Sequence, residues 1–366
     1  MLPEFDSSRR QAQYPPSHPM ARSSTSSDTL PVSIVGAGIA GTWQALLFAK
    51  AGHPVTVYER SGRDLAPSTS VHAGGMLAPW CEQEAAEPAI TRLGTRSLGL
   101  WREHVPDAVF NGSLVIAHAR DRADFERFAR MTEHHERIDG SSIGELEPAL
   151  AGRFRDALFF PDEGHVEPRR VLPALHEQLT AHGVDIKFDS ACEPHDLHGK
   201  DADKIVIDCR GLAARDASST EATSSLRGVK GETIVIETDE ISLSRPVRLM
   251  HPRWPLYLIP RADNRIMIGA STLETEDSGM SVRSALELLS AAYAVHPAFA
   301  EARIVEFDSG LRPAYPDNLP RITIEGSRIA VNGLYRHGFL IAPALAEMTL
   351  AYVTQGAIDN EVMRCN

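Results

Sequence analysis

Three glycines in the run Gly36-Ala37-Gly38-Ile39-Ala40-Gly41, followed at the end of the next apolar segment by Glu59, are spaced to bind a dinucleotide. Gly36 permits a tight turn, Gly38 lets the backbone approach a pyrophosphate, and Gly41 lets the helix that follows pack closely on the strand before it. The phosphate charge then meets a helix N-terminus. A carboxylate at Glu59 can accept both hydroxyls of an adenosine ribose and would repel a 2′-phosphate, which favours FAD or NAD over NADP. The glycine run by itself does not choose between those two.

The elements needed to position these residues are legible around them. The apolar segment Pro31–Val35 reads as a strand, Thr42–Ala51 as a helix closed by Gly52, and Val55–Tyr58 as a second strand ending at Glu59. That is a complete βαβ unit. The chain of 366 residues is 43% apolar and can supply the core of two interlocked domains. Its formal net charge of −12 argues against general affinity for nucleic acid or an anionic membrane and favours a small-molecule partner. Cys81, Cys192, Cys209 and Cys365 are scattered without metal-binding or disulfide spacing, which fits a reducing cytoplasm. Residues 1–30, rich in Ser, Pro, Gln and Arg, read as a disordered extension, with Met20 as a candidate internal start. No apolar run approaches the ~18 residues of a membrane span.

Further motifs narrow the cofactor. After a Gly/Ser/Thr-rich loop comes Val71-His72-Ala73-Gly74-Gly75-Met76-Leu77-Ala78-Pro79. Later segments are Asp203–Arg215, a strand followed by Gly211, and Val229-Lys230-Gly231-Glu232, expected as a turn entering a second domain. The C-terminal part carries Ser309-Gly310-Leu311-Arg312-Pro313, then the strand Arg328–Asn332, then Gly333-Leu334-Tyr335-Arg336-His337-Gly338. In this order, from residue 31 to about 355, these segments resemble the bacterial glycine oxidases of the D-amino-acid-oxidase superfamily. The resemblance implies non-covalent FAD, since Cys365 lacks the surroundings of the covalent flavin cysteine in related sarcosine oxidases.

Cofactor contacts are expected at Gly36, Gly38, Ile39, Ala40, Gly41, Glu59 and Arg60 from the fingerprint, and at Thr69, Ser70, Gly74, Gly75 and Met76 along the flavin. The resemblance implies further contacts at Cys192, Gly211 and the closing run Arg336, His337, Gly338, Phe339 and Leu340. A helix starting near Gly338 would aim its positive end at the flavin edge.

Oxidation of a small amino acid by flavin needs a carboxylate clamp, a group that positions the amine, and a dry surface. A bidentate guanidinium is the natural clamp. The resemblance assigns it to Arg312 and places Tyr257 and Arg336 beside the substrate. Pro255 and the Gly269-Ala270-Ser271-Thr272 stretch depart from some members, which loosens the substrate identity. His72 and His337 beside the cofactor motifs read as packing residues rather than catalysts.

The expected fold is α/β, a Rossmann-like FAD-binding domain interleaved with an antiparallel-sheet substrate domain, as in D-amino-acid-oxidase and glutathione-reductase-like flavoproteins. Residues 31–90, 152–228 and 308–355 are assigned to the first, and 91–151, with helical patterning, and 229–307, with strand-like runs, to the second. The implied reaction takes glycine or another small amino acid or amine to an imine and then a 2-oxo acid, with molecular oxygen becoming hydrogen peroxide. The resemblance also implies a thiamine-thiazole role and a homotetramer. Competing readings are a D-amino-acid dehydrogenase with another acceptor, a flavin monooxygenase, for which the expected Gly-Asp dipeptide is missing, and a non-catalytic FAD scaffold.

Overall fold

The computed structural model describes residues 29–197, 204–217, 224–251 and 256–365. The expected disordered extension, apart from Thr29 and Leu30, lies outside the described residues, as do Met20, Asp203 and Pro255. At the start of the described chain, the Leu30 carbonyl pairs with His53 Nδ1 at 3.0 Å.

Two sheets organise the chain. The first has seven strands in the spatial order Met363–Cys365, Arg321–Glu325, Arg328–Asn332, Ile205–Asp208, Val32–Val35, Val55–Tyr58 and Asp185–Lys187. Val32–Val35 pairs in parallel with Val55–Tyr58 on one side and Ile205–Asp208 on the other. Strand order therefore reverses at this central strand, and a crevice opens at the carboxyl ends of its neighbours. The short apolar strands bury nearly every residue, as a parallel sheet covered on both faces requires.

Helix Ile39–Lys50 buries residues around most of its circumference, from Ile39 through Phe48. It packs against helices Pro168–Ala181 and Gly338–Gln355. The glycine turn decides how close it sits, because a Cβ at Gly41 would stand 1.9 Å from the Gly36 carbonyl oxygen. Gly36 itself has φ +105°.

The second sheet has eight strands in the order Arg303–Ala314, Arg227–Glu237, Arg265–Gly269, Leu256–Arg261, Val247–Met250, Ser113–Ala117, Asp156–Phe160 and Glu136–Asp139. It is antiparallel except where Val247–Met250 runs parallel to Ser113–Ala117. Helix Val282–Val295 covers it through Leu288, Ala291, Ala292 and Val295. The strand-like runs expected between 229 and 307, such as Thr233–Ile236, Leu256–Ile259 and Arg265–Ile268, lie inside Arg227–Glu237, Leu256–Arg261 and Arg265–Gly269.

Pairing draws the domain boundaries differently from the sequence expectation in four places. Helix Pro88–His104 packs on Gly338–Gln355 and buries Trp101 in the nucleotide-side core, although most of it falls in 91–151. Ser113–Ala117 and Glu136–Asp139 are strands within that helically patterned block. Asp156–Phe160 and the end of Arg303–Ala314 belong to the second sheet, because each finds its hydrogen-bonding edge there. Met363–Cys365 adds an edge strand to the first sheet beyond residue 355.

Val229-Lys230-Gly231-Glu232 also departs from expectation, forming the middle of strand Arg227–Glu237 rather than a turn. Its glycine answers a packing demand, since a Cβ there would lie 2.0 Å from Arg312 Nη2.

Gly41→Ala should force the helix off the turn, overpacking that costs about 1–3 kcal/mol. Thermal denaturation with and without added FAD checks this: the variant should unfold earlier and gain less from FAD than the wild type.

Candidate functional site

The crevice at the sheet reversal continues under the second sheet as one cavity of about 910 Å³, within the size range of cofactor sites. Of the residues expected to hold the cofactor, all but Gly41 line it, as do Arg312, Tyr257 and Arg336. Gly41 is corrected from a contact to a packing residue, its missing side chain being what lets the helix meet Gly36.

At the nucleotide end, helix Ile39–Lys50 begins at Gly38 with no side-chain cap and no acid in its first turn. An anion can therefore approach the N–H groups of its first turn other than that of Ile39, which Ser70 takes. A Cβ on Gly38 would lie 3.0 Å from Ser70 Oγ, which accepts from the Ile39 N–H at 3.0 Å. Glu59 is buried and held rigidly, accepting from the Ala37 N–H at 2.8 Å and from the Ser61 N–H and hydroxyl at 2.9 and 2.7 Å. Asp208 fixes Arg210 through two bonds of 2.9 and 2.8 Å, and Glu193, beside Cys192, takes the third arm at 2.5 Å.

The flavin-side segment is pinned from below. Gly75 has φ +73°, and a Cβ there would lie 2.2 Å from the Val166 carbonyl oxygen. Arg261 donates to the Gly74 carbonyl at 2.6 Å, and burial pulls this guanidinium down to about 10. Thr69 donates to the Leu311 carbonyl at 2.7 Å, coupling the loop to the strand that carries Arg312. His72 is engaged by Asp308 at 2.7 Å and faces the Ala66 carbonyl at 2.9 Å. Helix Gly338–Gln355 supplies a second uncapped N-terminus, also without an acid in its first turn.

Above this floor, Arg312 donates to the Ser271 carbonyl at 3.1 Å and passes over Gly231. No carboxylate among the described residues forms an ion pair with it, and burial holds its guanidinium below its ordinary value. The Gly269–Thr272 stretch is thus the seat of Arg312. It is held in turn by the buried Glu232, which accepts from Ser271 Oγ at 2.8 Å and the Ser281 N–H at 2.9 Å. Tyr257 lies beside Gly74 and Gly269, whose added Cβ atoms would be 3.4 and 2.6 Å from its ring. Tyr257 and Tyr335 both interact electrostatically with Arg312 and Arg336.

Arg336 has what Arg312 lacks. Glu82 Oε2 lies 3.3 Å from Arg336 Nη2 and 3.1 Å from His337 Nε2, with Oε1 3.6 Å from Arg248. Burial alone would raise the Glu82 carboxyl, but Arg336, His337 and Arg248 outweigh it and keep the group ionised well below the usual carboxylate range. The pair raises Arg336 in return, Glu82 being the main cause.

Sequence reasoning missed Glu82, which follows closely on the Gly-Gly-Met segment, and Arg261, four residues after Tyr257. Arg248 and Glu163 carry no sequence signal. Glu163 sits wholly inside the protein, where its carboxylate accepts from the N–H groups of Trp80 and Cys81 at 3.0 and 2.8 Å and from the Ser113 hydroxyl. It fixes the backbone that delivers Glu82.

Two interleaved sheets, a nucleotide crevice with two free helix N-termini, and a roofed chamber beyond define a two-domain FAD oxidoreductase. The chain belongs to the FAD dependent oxidoreductase family DAO, which it matches over residues 31–352. A Rhizobium etli protein, named by inference as the thiamine biosynthesis oxidoreductase ThiO, is 47% identical over 317 residues, covering 86% of this chain and 94% of its own. A glycine oxidase of Geobacillus kaustophilus is 27% identical, covering 85% and 89%. The glycine oxidase structure from Bacillus cereus shares the fold with a TM-score of 0.75 at 22% identity, over 91% of this chain and 96% of that one.

Burial pushes the Glu163 carboxyl up from 4.5 to about 7, so the fold favours its protonated form. Stability from this group is full below pH 4.5 and is lost as pH rises through about 7. Glu163→Gln keeps an acceptor for the two N–H groups, and denaturant midpoints should fall less steeply than in wild type across that window. Glu163→Ala should cost about 1–3 kcal/mol for each stranded N–H at any pH.

Proposed function

We propose that this protein oxidises glycine or another small amino acid or amine to an imine, which water converts to a 2-oxo acid and ammonia while oxygen becomes hydrogen peroxide. The observation that carries this reading is Arg312, a half-buried guanidinium without an ionic partner among the described residues, in the same cavity as the dinucleotide fingerprint. An unpaired guanidinium facing a cavity attracts an anion, and its planar fork suits one carboxylate.

In this reading the fingerprint turn, Glu59 and the two helix N-termini hold FAD without a covalent bond. Cys365, exposed in an edge strand, does not line the cavity. Bound FAD supplies the acceptor for hydride from the substrate α-carbon. The chain's own work is positioning: Arg312 holds the carboxylate, Tyr257 closes one side of the chamber, and the Gly74–Met76 floor stays fixed by Arg261. The Gly338 helix N-terminus favours negative charge developing at its end of the cavity.

The Rhizobium relative supports a place in thiamine synthesis, where the product imine would be used. The four cysteines, all free, fit a cytoplasmic enzyme. No helix among the described residues is long and apolar enough to cross a membrane.

Anaerobic mixing of the yellow protein with glycine, sarcosine, D-alanine and D-proline, followed by air and a peroxide assay, tests the proposal. Glycine should bleach the flavin and air should yield prompt peroxide. Slow reoxidation would point instead to a dehydrogenase, and no bleaching by any of the four would end the amine-oxidase reading. Arg312→Ala should lower kcat/KM on the order of 100-fold or more, the loss expected when a buried ionic contact to substrate is removed.

A further inference from the structure

The two cavity arginines are in opposite electrostatic states, and the difference is built by one residue. Arg336 is neutralised by Glu82 at 3.3 Å, while Arg312 has only the Ser271 carbonyl at 3.1 Å. Both guanidiniums line the same cavity, Arg312 half-buried and Arg336 exposed to it, and the charge of Arg336 lowers Arg312 further. The remaining cations on the wall that carry buried charge are already matched: Lys230 by Glu232 at 3.2 Å and Asp277 at 2.7 Å, and Arg210 by Asp208 and Glu193. Apart from Arg60 and the helix N-termini at the nucleotide end, Arg312 is therefore the arginine of this wall left without a carboxylate among the described residues.

From this we infer that Glu82 is a specificity-determining residue that restricts the enzyme to substrates with a single carboxylate, by occupying the guanidinium of Arg336 that a second carboxylate would otherwise take. The inference rests on the amino-acid oxidase reading for its substrate class. Two features show that the pairing is built rather than incidental. Glu82 is gripped from three sides, by Arg336, by His337 at 3.1 Å and by Arg248 at 3.6 Å. Its backbone segment is locked by Glu163 through the N–H groups of Trp80 and Cys81. A carboxylate so held cannot swing away to admit a competing anion, and an acidic side chain brought near it meets like charge at short range in a poorly screened chamber.

The distinction from a structural role lies in the sign of the effect. Loss of a merely structural residue would weaken every substrate, whereas loss of the Glu82 charge leaves Arg336 uncompensated and should improve the handling of dicarboxylates relative to monocarboxylates. D-Aspartate and D-asparagine make a suitable pair, nearly equal in shape and differing in one negative charge.

The experiment uses FAD-loaded wild type, Glu82→Gln and Glu82→Asp. Steady-state kcat/KM is measured for D-aspartate and D-asparagine, and the flavin absorbance is titrated with the non-reacting probes acetate and malonate. Wild type should favour D-asparagine and bind malonate no more tightly than acetate. Glu82→Gln should raise the D-aspartate to D-asparagine ratio about tenfold or more, one charge-assisted contact's worth, and bind malonate selectively tighter. Glu82→Asp, which keeps the charge, should retain the wild-type order.

A wild type that already binds malonate much more tightly than acetate, or a Glu82→Gln variant that loses both substrates equally, would overturn the inference. If no amino acid reduces the wild-type protein, the oxidase reading falls, while the acetate and malonate titrations still decide the role of Glu82.

Discussion

Two guanidinium groups facing one chamber repel each other, and each must be compensated by the groups around it or by what the chamber takes up. Much of the surrounding architecture can be traced to how that demand is met. Arg336 pairs with Glu82, which it shares with His337 and Arg248, while Arg312 bonds the Ser271 carbonyl and feels Glu82 only from beyond ion-pair distance. Gly231 stands where it does so that Arg312 can cross strand Arg227–Glu237. Glu232 secures Ser271, and Glu163 secures the segment leading to Glu82. These buried carboxylates act through backbone and hydroxyl contacts on the groups that face the cavity.

The nucleotide end solves the converse problem. Two helices begin at the cavity wall, at Ile39 and Gly338, and neither carries an acid in its first turn or a side-chain cap. Their orphaned N–H groups make a positive surface from the backbone alone. Glu59, a carboxylate close to the first of them, is turned by Ala37 and Ser61 into a fixed acceptor rather than a competitor for phosphate. Anion affinity at one end is thus a property of helix geometry, and at the other a property of a charged side chain with one vacancy.

Interleaving of the chain joins the two ends. Strand Arg303–Ala314 carries Arg312 in the second sheet, and the chain then returns to the first sheet before entering the Gly338 helix. The Thr69 contact with Leu311 and the Arg261 contact with Gly74 cross between the cofactor-side loop and the second sheet. The floor and the roof of the chamber are therefore held in register by hydrogen bonds to backbone carbonyls, which tolerate little displacement.

The sequence by itself determined the βαβ unit, the acidic Glu59 and the interleaved α/β class, and all but one of the site residues it singled out line the cavity. These are local signals: glycine spacing, apolar periodicity and short motifs whose chemistry operates within one turn or strand. Gly41, read from the fingerprint as a packing glycine and also expected as a cofactor contact, keeps only the packing role, a Cβ there standing 1.9 Å from the Gly36 carbonyl oxygen. What tertiary structure decided was pairing. Asp156–Phe160 reads as well for one sheet as for the other until an edge is available, and Lys230-Gly231-Glu232 reads as a turn until Arg312 is laid across it. The state of each arginine was likewise undetermined, because Glu82 is 254 positions from Arg336 in sequence and 3.3 Å from it in space. Charge compensation in a buried site depends on distances that close only when the whole chain has folded, and no local pattern encodes them.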